Sequence, residues 1–274
     1  MSNNEPDHRH NAEIGVIGGS GFYAFLDEVQ EIPVETPYGP PSDPLVVGKV
    51  GARSVAFVPR HGRDHRYPPH RIPYLANLWA LRSLGVRQVL APSAVGGLRP
   101  QYGPGTLVIP DQLVDRTYGR GQTYYDRGAV HLPFADPYCP RGRRTAVEAA
   151  RRSDWEPVDG GTLVVIEGPR FSTRAESQWY AAQGWSVVGM TGHPEAVLAR
   201  ELALCYTTLT LVTDLDAGLE EGEGVTQEEV FRFFAANVER LRNLLFDVVV
   251  ALPVERTCPC PRVLDGIELP LELP

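Results

Sequence analysis

Short, mostly apolar runs alternate along the chain with stretches in which apolar residues recur every three or four positions. The runs have the length of buried strands, and the recurring stretches have the spacing of helices that cover a sheet. The predicted strands are 14–17, 54–58, 89–91, 107–109, 162–166, 187–189 and 205–212. The predicted helices are 72–84, 143–152, 194–204 and 226–246. This alternation predicts a single α/β domain.

Two of these strands end in residues that can bind or react. Strand 187–189 runs into Met190 and Thr191, and strand 205–212 ends at Asp214 and Asp216, two acids spaced i, i+2. Open α/β sheets bind their ligands outside the carboxyl ends of the strands. We therefore expect both groups at one polar mouth.

Three further strand ends have the composition of anion-binding loops. Glycines lead to Ser20 after the first strand, and glycine lets backbone N–H groups approach an anion closely. Arg60 and His61 open a loop dense in arginine and histidine, which favours anion binding over a solvated basic turn. A metal site there is disfavoured because acid and cysteine partners are missing at ligand spacings. The loop predicted for 92–98 offers the Ser93 hydroxyl, although a plain turn explains it equally well.

Two other segments have the features of ligand-contacting loops. Phe171 lies between strand 162–166 and a helix that Thr173 caps, which leaves its ring at the mouth, free to stack on a flat ligand. Residues 116–142 form a long connection that contains His131. Long ordered loops in compact proteins are usually functional or interfacial.

The first glycine loop also permits a dinucleotide-binding interpretation. Gly19, Gly21 and Ala24 satisfy the loose G-x-G-x-x-G/A pattern of NAD-binding oxidoreductases. That motif needs a helix and a second strand in a compact unit, and five prolines between 33 and 44 interrupt the region where they belong. The phosphate-loop interpretation is therefore preferred.

Composition narrows the choice of partners. A net charge of -8 argues against nucleic acid or an anionic membrane, because both need a basic face. No apolar run approaches the roughly 20 residues that span a bilayer. The four cysteines form no pair of C-x-x-C motifs, so no metal is expected. For Cys258 and Cys260, free thiols in a reducing cytoplasm are preferred to the alternatives of a strained disulfide or a metal site. The predicted organisation is a disordered tail over 1–12, a domain over 13–250 and a Pro-rich tail over 251–274.

The loops also carry a set of motifs found together in one known family. They read G-G-S-G-F-Y at 18–23, R-H-G-R-D-H at 60–65, S-A-V-G-G-L at 93–98, E-G-P-R-F-S-T at 167–173, G-M-T-G-H-P-E-A at 189–196 and T-D-L-D at 213–216. In order and in spacing, this set resembles the methylthioadenosine phosphorylases. These enzymes form part of the trimeric class of the purine nucleoside phosphorylase superfamily.

The resemblance implies the nucleoside phosphorylase fold, a single domain with a mixed, partly barrel-like central β-sheet flanked by helices. It implies phosphorolysis of 5'-methylthioadenosine to adenine and 5-methylthioribose 1-phosphate, with inorganic phosphate as co-substrate and no cofactor. It also implies a homotrimer, or a hexamer, acting in cytoplasmic purine salvage.

The family's site residues map onto the loops described above. Its phosphate ligands fall on Ser20, Arg60, His61, Ser93 and Thr191. Its nucleoside contacts fall on Ala94, Phe171, Met190, Asp214, Asp216, Gln227, Val230 and Phe231, with His131 reaching in from a neighbouring subunit. A departing purine gains negative charge, so Asp214 is expected to act as the general acid through a raised pKa. Asp216 would accept from the exocyclic amino group of adenine.

Two features leave the substrate open. The enzymes for 6-oxopurines have asparagine where this chain has Asp214, which favours adenine here. Gln227 departs from the apolar residue of the animal enzymes, so a 5' methylthio group, hydroxyl or halogen each remains an option. The alternatives are therefore a phosphorylase for 5'-deoxy-5'-halogenoadenosine or 6-oxopurine nucleosides, a hydrolytic nucleosidase, an NAD-binding oxidoreductase, or a binding module without turnover.

Overall fold

The computed structural model describes residues 12–19, 26–217 and 224–274. Across these residues, eleven strands form one mixed sheet with five helices around it, which confirms the predicted α/β class. Residues 1–11 of the predicted N-terminal tail, Ser20 of the glycine loop and residues 218–223 lie outside the described ranges.

The strands and helices follow one another in mixed order along the chain. The strands are β1 Ile14–Gly18, β2 Asp27–Ile32, β3 Leu45–Val50, β4 Arg53–Pro59, β5 Gln88–Gly97, β6 Leu107–Ile109, β7 Gln112–Arg116, β8 Val158–Asp159, β9 Thr162–Ile166, β10 Val187–Gly189 and β11 Cys205–Leu215. The helices are α1 Tyr74–Ser83, α2 Pro140–Arg152, α3 Arg174–Ala182, α4 Gly192–Glu201 and α5 Gln227–Ala251.

Strand β5 is the junction of the sheet. It pairs in parallel with β11 along its whole length, in parallel with β1 over its first three residues, and antiparallel with β10 at Gly96 and Gly97. From β1 the sheet continues through β4 and β3 to β2, and from β10 it continues through β9 to β7. The antiparallel β10 runs back beside the second half of β5. The residues that follow β10 therefore return toward Ser93 and Ala94.

Two hydrophobic clusters cover the faces of the sheet. One contains side chains of α2 and α5, such as Val147 and Leu245, packed on β1, β4 and β11. The other contains side chains of α1 and α4, such as Leu78 and Leu198. No helix in the described ranges is long and apolar enough to cross a bilayer. The helices therefore pack against the central strands and fix the position of the strand ends that form the site.

The structure corrects the prediction of a loop at 92–98. Residues Pro92 to Gly97 belong to β5, because β11 and β10 supply the ladder partners that override the turn preference of glycine, proline and serine. Strands β2, β3, β7 and β8 were also missed. The first five residues of β2 are exposed, so it has no apolar pattern to detect. The segment 251–274 packs its Leu269 and Leu271 against the cluster of α1 and α4.

Candidate active site

The ends of β5 and β11 carry the two acids above a glycine. The parallel register slips between Val212 and Asp214, so that Asp214 pairs with Gly96. A bulge of this kind re-aims the side chains that follow it. An alanine Cβ at Gly96 would lie 3.2 Å from Asp214 Oδ1 and 3.2 Å from the Cβ of Asp216. The glycine thus leaves the space in which both carboxyl groups stand.

Asp214 has the electrostatics of a proton donor. Burial raises its pKa to about 6, and the neighbouring charges of Asp216 and Glu229 act in the same direction. The Thr213 hydroxyl donates to its Oδ2 at 2.7 Å and opposes the rise. A carboxyl group with this pKa keeps about a tenth of its protons at pH 7. It is therefore poised to give a proton to a bound base.

Asp216 is buried and fixed by a hydroxyl donor. Burial raises its pKa, while the hydrogen bond that the Ser177 hydroxyl donates to Oδ2 lowers it. Its backbone N–H donates to the carbonyl of Gly97 at 3.0 Å, which ties the residue to the end of β5. The carboxylate is thus held rigidly next to Asp214.

Phe171 and Met190 lie on neighbouring loops. An added Cβ at Gly168, in the loop before Phe171, would lie 2.7 Å from Met190 Sδ, so the loops after β9 and β10 touch. Both Phe171 and Met190 are half-buried. Thr173 forms the predicted cap of α3, and its hydroxyl accepts the N–H of Glu176 in a capping box. The cap sets where the 167–173 loop ends, one turn of α3 before Ser177, whose hydroxyl donates to Asp216.

Arg60 is a buried cation that joins three elements. Its Nε and Nη2 bond the Glu195 carboxylate of α4 at 2.6 and 3.1 Å, and its Nη1 donates to the carbonyl of Pro92 in β5 at 2.9 Å. Its backbone N–H donates to Gly18 at the end of β1. The Tyr206 hydroxyl donates to Glu195 Oε2 at 2.7 Å. A guanidinium has five N–H groups, so two remain for an anion.

His61 is held as a neutral imidazole. Burial, opposed by the hydrogen bond with the Tyr67 carbonyl and assisted by the nearby Arg60 and His65 side chains, lowers its pKa to about 4. That carbonyl lies 2.9 Å from Nδ1, so Nδ1 carries the proton and Nε2 is a free acceptor. A protonated phosphate oxygen can donate to that nitrogen.

Thr191 begins α4 without capping it. Although it occupies the N-cap position, its side chain makes no capping hydrogen bond. It lies four residues before Glu195, the partner of Arg60, and on the segment that returns beside Ser93 and Ala94, both half-buried in β5. Its hydroxyl is therefore not used as a helix cap, and its role as a phosphate ligand stays a prediction.

The first turn of α5 reaches the same region. Phe231 is 55% exposed and contacts His65 edge to face at 6.3 Å, and His65 stacks on His61 at 5.7 Å. The negative charge of Glu229 contributes to the raised pKa of Asp214. Val230 is half-buried and Gln227 is exposed. The start of α5 thus lies beside both the histidine loop and the acids.

His131 stands apart from this arrangement. It is exposed, and its neighbours Val130 and Leu132 pack against the cluster of α1 and α4. Within this chain the structure does not bring it to the acids. The expectation that it serves a neighbouring subunit stays a prediction.

Sequence reasoning missed Arg120 as a positioning residue. Its buried guanidinium donates to the carbonyl oxygens of Met190 at 2.9 Å, His193 at 2.6 Å and Glu167 at 2.7 Å. It also forms an ion pair with Glu167 at 3.1 Å. It therefore ties the loop after β9 to the loop after β10. The only signal in the sequence was its place in the long loop 116–142.

The predicted site residues that the structure describes fall into two groups. The first, called the anion half because the sequence predicts anion binding there, contains Arg60, His61, Ser93 and Thr191. The other half contains Ala94, Phe171, Met190, Asp214 and Asp216. The first offers a cation and hydroxyl donors, and the second offers a flat aromatic ring and two carboxyl groups with raised pKa values.

Comparison with known proteins identifies the family to which the chain belongs. A family model of the phosphorylase superfamily matches residues 13–250. This chain belongs to the phosphorylase superfamily. It is thus an enzyme of the pentosyltransferase class, which overturns the alternatives of an NAD-binding oxidoreductase and of a silent binding module.

Individual members of the superfamily are closely similar to the chain. It is 68% identical over 274 residues to a protein of Streptomyces coelicolor named purine nucleoside phosphorylase, with 96% of this chain and 98% of the relative covered. It is 58% identical over 262 residues to an S-methyl-5'-thioadenosine phosphorylase of Mycolicibacterium smegmatis, with 95% and 99% covered. A solved methylthioadenosine phosphorylase of Schistosoma mansoni in complex with adenine superposes with a TM-score of 0.86 at 37% identity, over 90% of this chain and 93% of that one.

Proposed function

We propose that this phosphorylase cleaves the N-glycosidic bond of 5'-methylthioadenosine with inorganic phosphate. The bond from the anomeric carbon to N9 breaks, and a bond from that carbon to a phosphate oxygen forms. Adenine leaves with a proton, which hydrogen phosphate supplies overall as it becomes the sugar phosphate ester. The observation that carries the proposal is the pair of carboxyl groups with raised pKa values at the end of β11.

The anion half of the site fits the phosphate. Its nucleophilic oxygen must approach the anomeric carbon while that carbon gains positive charge in the transition state. Arg60 offers two N–H groups, Ser93 and Thr191 offer hydroxyls, and neutral His61 offers an acceptor for a phosphate O–H. Charge-assisted hydrogen bonds of this kind hold the phosphate as both nucleophile and counter-charge. Ser20 belongs to the same proposal, although it lies outside the described residues.

The other half fits adenine. N7 is the imidazole nitrogen that is free to accept a proton, and a protonated Asp214 gives one as the base departs. An ionised Asp216, fixed by Ser177, accepts from the exocyclic amino group. Phe171 provides a ring for the base, and Met190 provides an apolar surface for the ribose.

The start of α5 fits the 5' end of the sugar. Val230 and Phe231 offer apolar surface for a methylthio group, while Gln227 faces solvent. An exposed amide carries no desolvation cost of the kind that a buried one would, about 1–3 kcal/mol. A hydroxyl at this end is therefore tolerated less well than methylthio, but is not rejected.

The test is product formation from 5'-methylthioadenosine with and without phosphate. Adenine together with methylthioribose 1-phosphate, formed only with phosphate, is the expected result. Equal adenine release without phosphate would identify a hydrolase, and no adenine in either case would overturn the proposal.

A second candidate is phosphorolysis of 6-oxopurine nucleosides, because the relative from Streptomyces coelicolor has the general name purine nucleoside phosphorylase. The carbonyl oxygen of such a base would face Asp216, and two acceptors repel each other. We therefore expect kcat/KM to fall in the order methylthioadenosine, adenosine, inosine. A higher kcat/KM for inosine than for adenosine would favour the second candidate.

The proposal includes a homotrimer, or a hexamer, acting in cytoplasmic purine salvage. The exposed side chains of Phe231 and His131 support assembly. A neighbouring copy would cover the Phe231 ring and receive His131 in its own active site. Light scattering of the purified chain would measure the assembly. Loss of activity in His131→Ala, restored by mixing with subunits that retain His131 but carry Asp214→Asn, would support a shared site.

A further inference from the structure

The four cysteines of the chain meet in one buried cluster. Cys139, Cys205, Cys258 and Cys260 are all buried and free, and their Sγ atoms lie within 4.8 Å of one another. The Sγ atoms of Cys205 and Cys258 are 3.4 Å apart. The cluster lies outside the candidate active site, and the proposed reaction leaves it unused.

The spacing of the sulfurs matches a single tetrahedral ion. Zinc bound by four thiolates has bonds of about 2.3 Å, which places the sulfurs roughly 3.8 Å from one another. A disulfide requires two sulfurs at about 2.05 Å. Four convergent sulfurs are also the ligand set that zinc prefers in closed structural sites, whereas oxygen ligands suit magnesium and calcium. The geometry thus fits one soft ion held by all four side chains.

The surroundings offset the charge that such a site carries. Four thiolates around a dication leave a net charge of about -2. Cys139 is the N-cap of α2, a helix of 13 residues, and its Sγ accepts the N–H of Gly142 at 3.4 Å. Backbone donors and a helix N-terminus both stabilise thiolates.

We propose that Cys139, Cys205, Cys258 and Cys260 bind one zinc ion in a structural site. Four thiols lose four protons to solvent as the ion binds. Four protein ligands leave no open position for water, so the site holds the fold and does no chemistry.

The site connects the C-terminal segment to the core. Cys205 is the first residue of β11 and Cys139 begins α2, whereas Cys258 and Cys260 belong to the segment after α5. Asp214 lies nine residues further along β11, up to about 30 Å away at the rise of a strand. The ion would thus fasten the segment 251–274 at the end of β11 opposite the acids.

Metal analysis of the full-length chain is the test. The protein is expressed with zinc in the medium, purified without chelators and measured by elemental mass spectrometry, with about one zinc per chain expected. Cys258→Ser with Cys260→Ser should reduce this to less than about a tenth. Arg256→Ala is the matched control. It removes a hydrogen bond of 2.9 Å from the same segment to the Ala203 carbonyl but leaves all four sulfurs, so it should keep its zinc.

Two measurements on the wild-type chain keep the test independent of how the variants fold. A strong chelator should lower the melting temperature, and cobalt in place of zinc should give the visible absorption of a tetrahedral thiolate site. Wild-type protein without zinc would overturn the proposal, whether its intact mass shows four thiols or disulfides. Zinc that remains in the double variant would overturn it too.

Discussion

Replacing Asp214 by asparagine tests the purine half of the site with the least change of shape. The amide oxygen still accepts the Thr213 hydroxyl, which now bonds the carboxylate at 2.7 Å. The acidic proton is lost. If Asp214 protonates the leaving base, kcat/KM for methylthioadenosine should fall by about 10²–10⁴, the usual contribution of general acid catalysis. That loss corresponds to about 3–5 kcal/mol of transition-state stabilisation.

The pH dependence of this loss identifies the proton. Burial raises the pKa of Asp214 to about 6, so the protonated fraction of the free enzyme falls about tenfold per pH unit above that value. Phosphate titrates in the same range, but it affects wild type and variant alike. The ratio of the wild-type kcat/KM to the variant kcat/KM should therefore be constant below about pH 6 and should fall above it.

The same carboxyl group should make the wild type less stable than the variant at neutral pH. Its pKa is higher in the folded protein than the value near 3.9 of the unfolded chain, so its contribution to stability is present below about pH 4 and is lost as pH rises through 6. The full difference is about 3 kcal/mol, and partial exposure reduces it to about 2. Asp214→Asn should melt several degrees higher at pH 7.5 and equally at pH 4.

Asp247→Asn is the control for these measurements. Asp247 is an exposed carboxylate that accepts the Ser153 hydroxyl at 2.9 Å. It lies about 30 Å along α5 from Gln227 in the first turn, so its replacement should change neither the rate ratio nor the melting temperature. A wild-type rate in Asp214→Asn, or a rate ratio independent of pH between about 5 and 8, would refute the general-acid role.

Three further predictions concern residues that shape the site. Gly96→Ala should reduce kcat/KM at least tenfold, because its Cβ would crowd Asp214 Oδ1 at 3.2 Å; unchanged kinetics would contradict the packing. Glu195→Gln leaves the charge of Arg60 buried and unpaired, at about 3–5 kcal/mol, so calorimetry should show a lower melting temperature and a larger phosphate-induced rise than in wild type. An equal rise would show that Arg60 does not meet phosphate. Arg120→Lys should lower the melting temperature and raise KM for the nucleoside, since three ammonium donors cannot replace the guanidinium contacts; calorimetry and initial rates test it.

Strand ends and loop composition are local features, so the sequence could predict where several candidate residues lie. Asp214 and Asp216 follow an apolar run, and Arg60 follows another, so both could be placed at the carboxyl ends of strands. The partner of Arg60 could not be predicted in this way. Glu195 lies 135 positions away, and no local pattern reports that α4 packs against the end of β4.

The sheet around the site was harder to predict for the same reason. Residues 92–97 have the composition of a turn, and they form a strand only because β10 and β11 both pair with this half of β5. Tertiary pairing overrides local preference in such a position. Arg120 was missed because it acts on backbone carbonyls, and these carry no sequence signal.

The two ends of β11 show how the fold supports its site. At one end, the half-buried Asp214 and the buried Asp216 have raised pKa values, which lowers stability at neutral pH. At the other end, Cys205 joins three other sulfurs from α2 and the C-terminal segment. An ion bound there gains affinity only in the folded state, so its binding free energy adds directly to folding. Zinc binding at the Cys205 end of β11 would thus offset the folding free energy that the two acids cost at the other end. Sites this far apart usually act independently. Chelation at pH 7.5 should then lower the melting temperature by the same amount in wild type and in Asp214→Asn. A larger loss in wild type would show that the two ends of β11 are coupled.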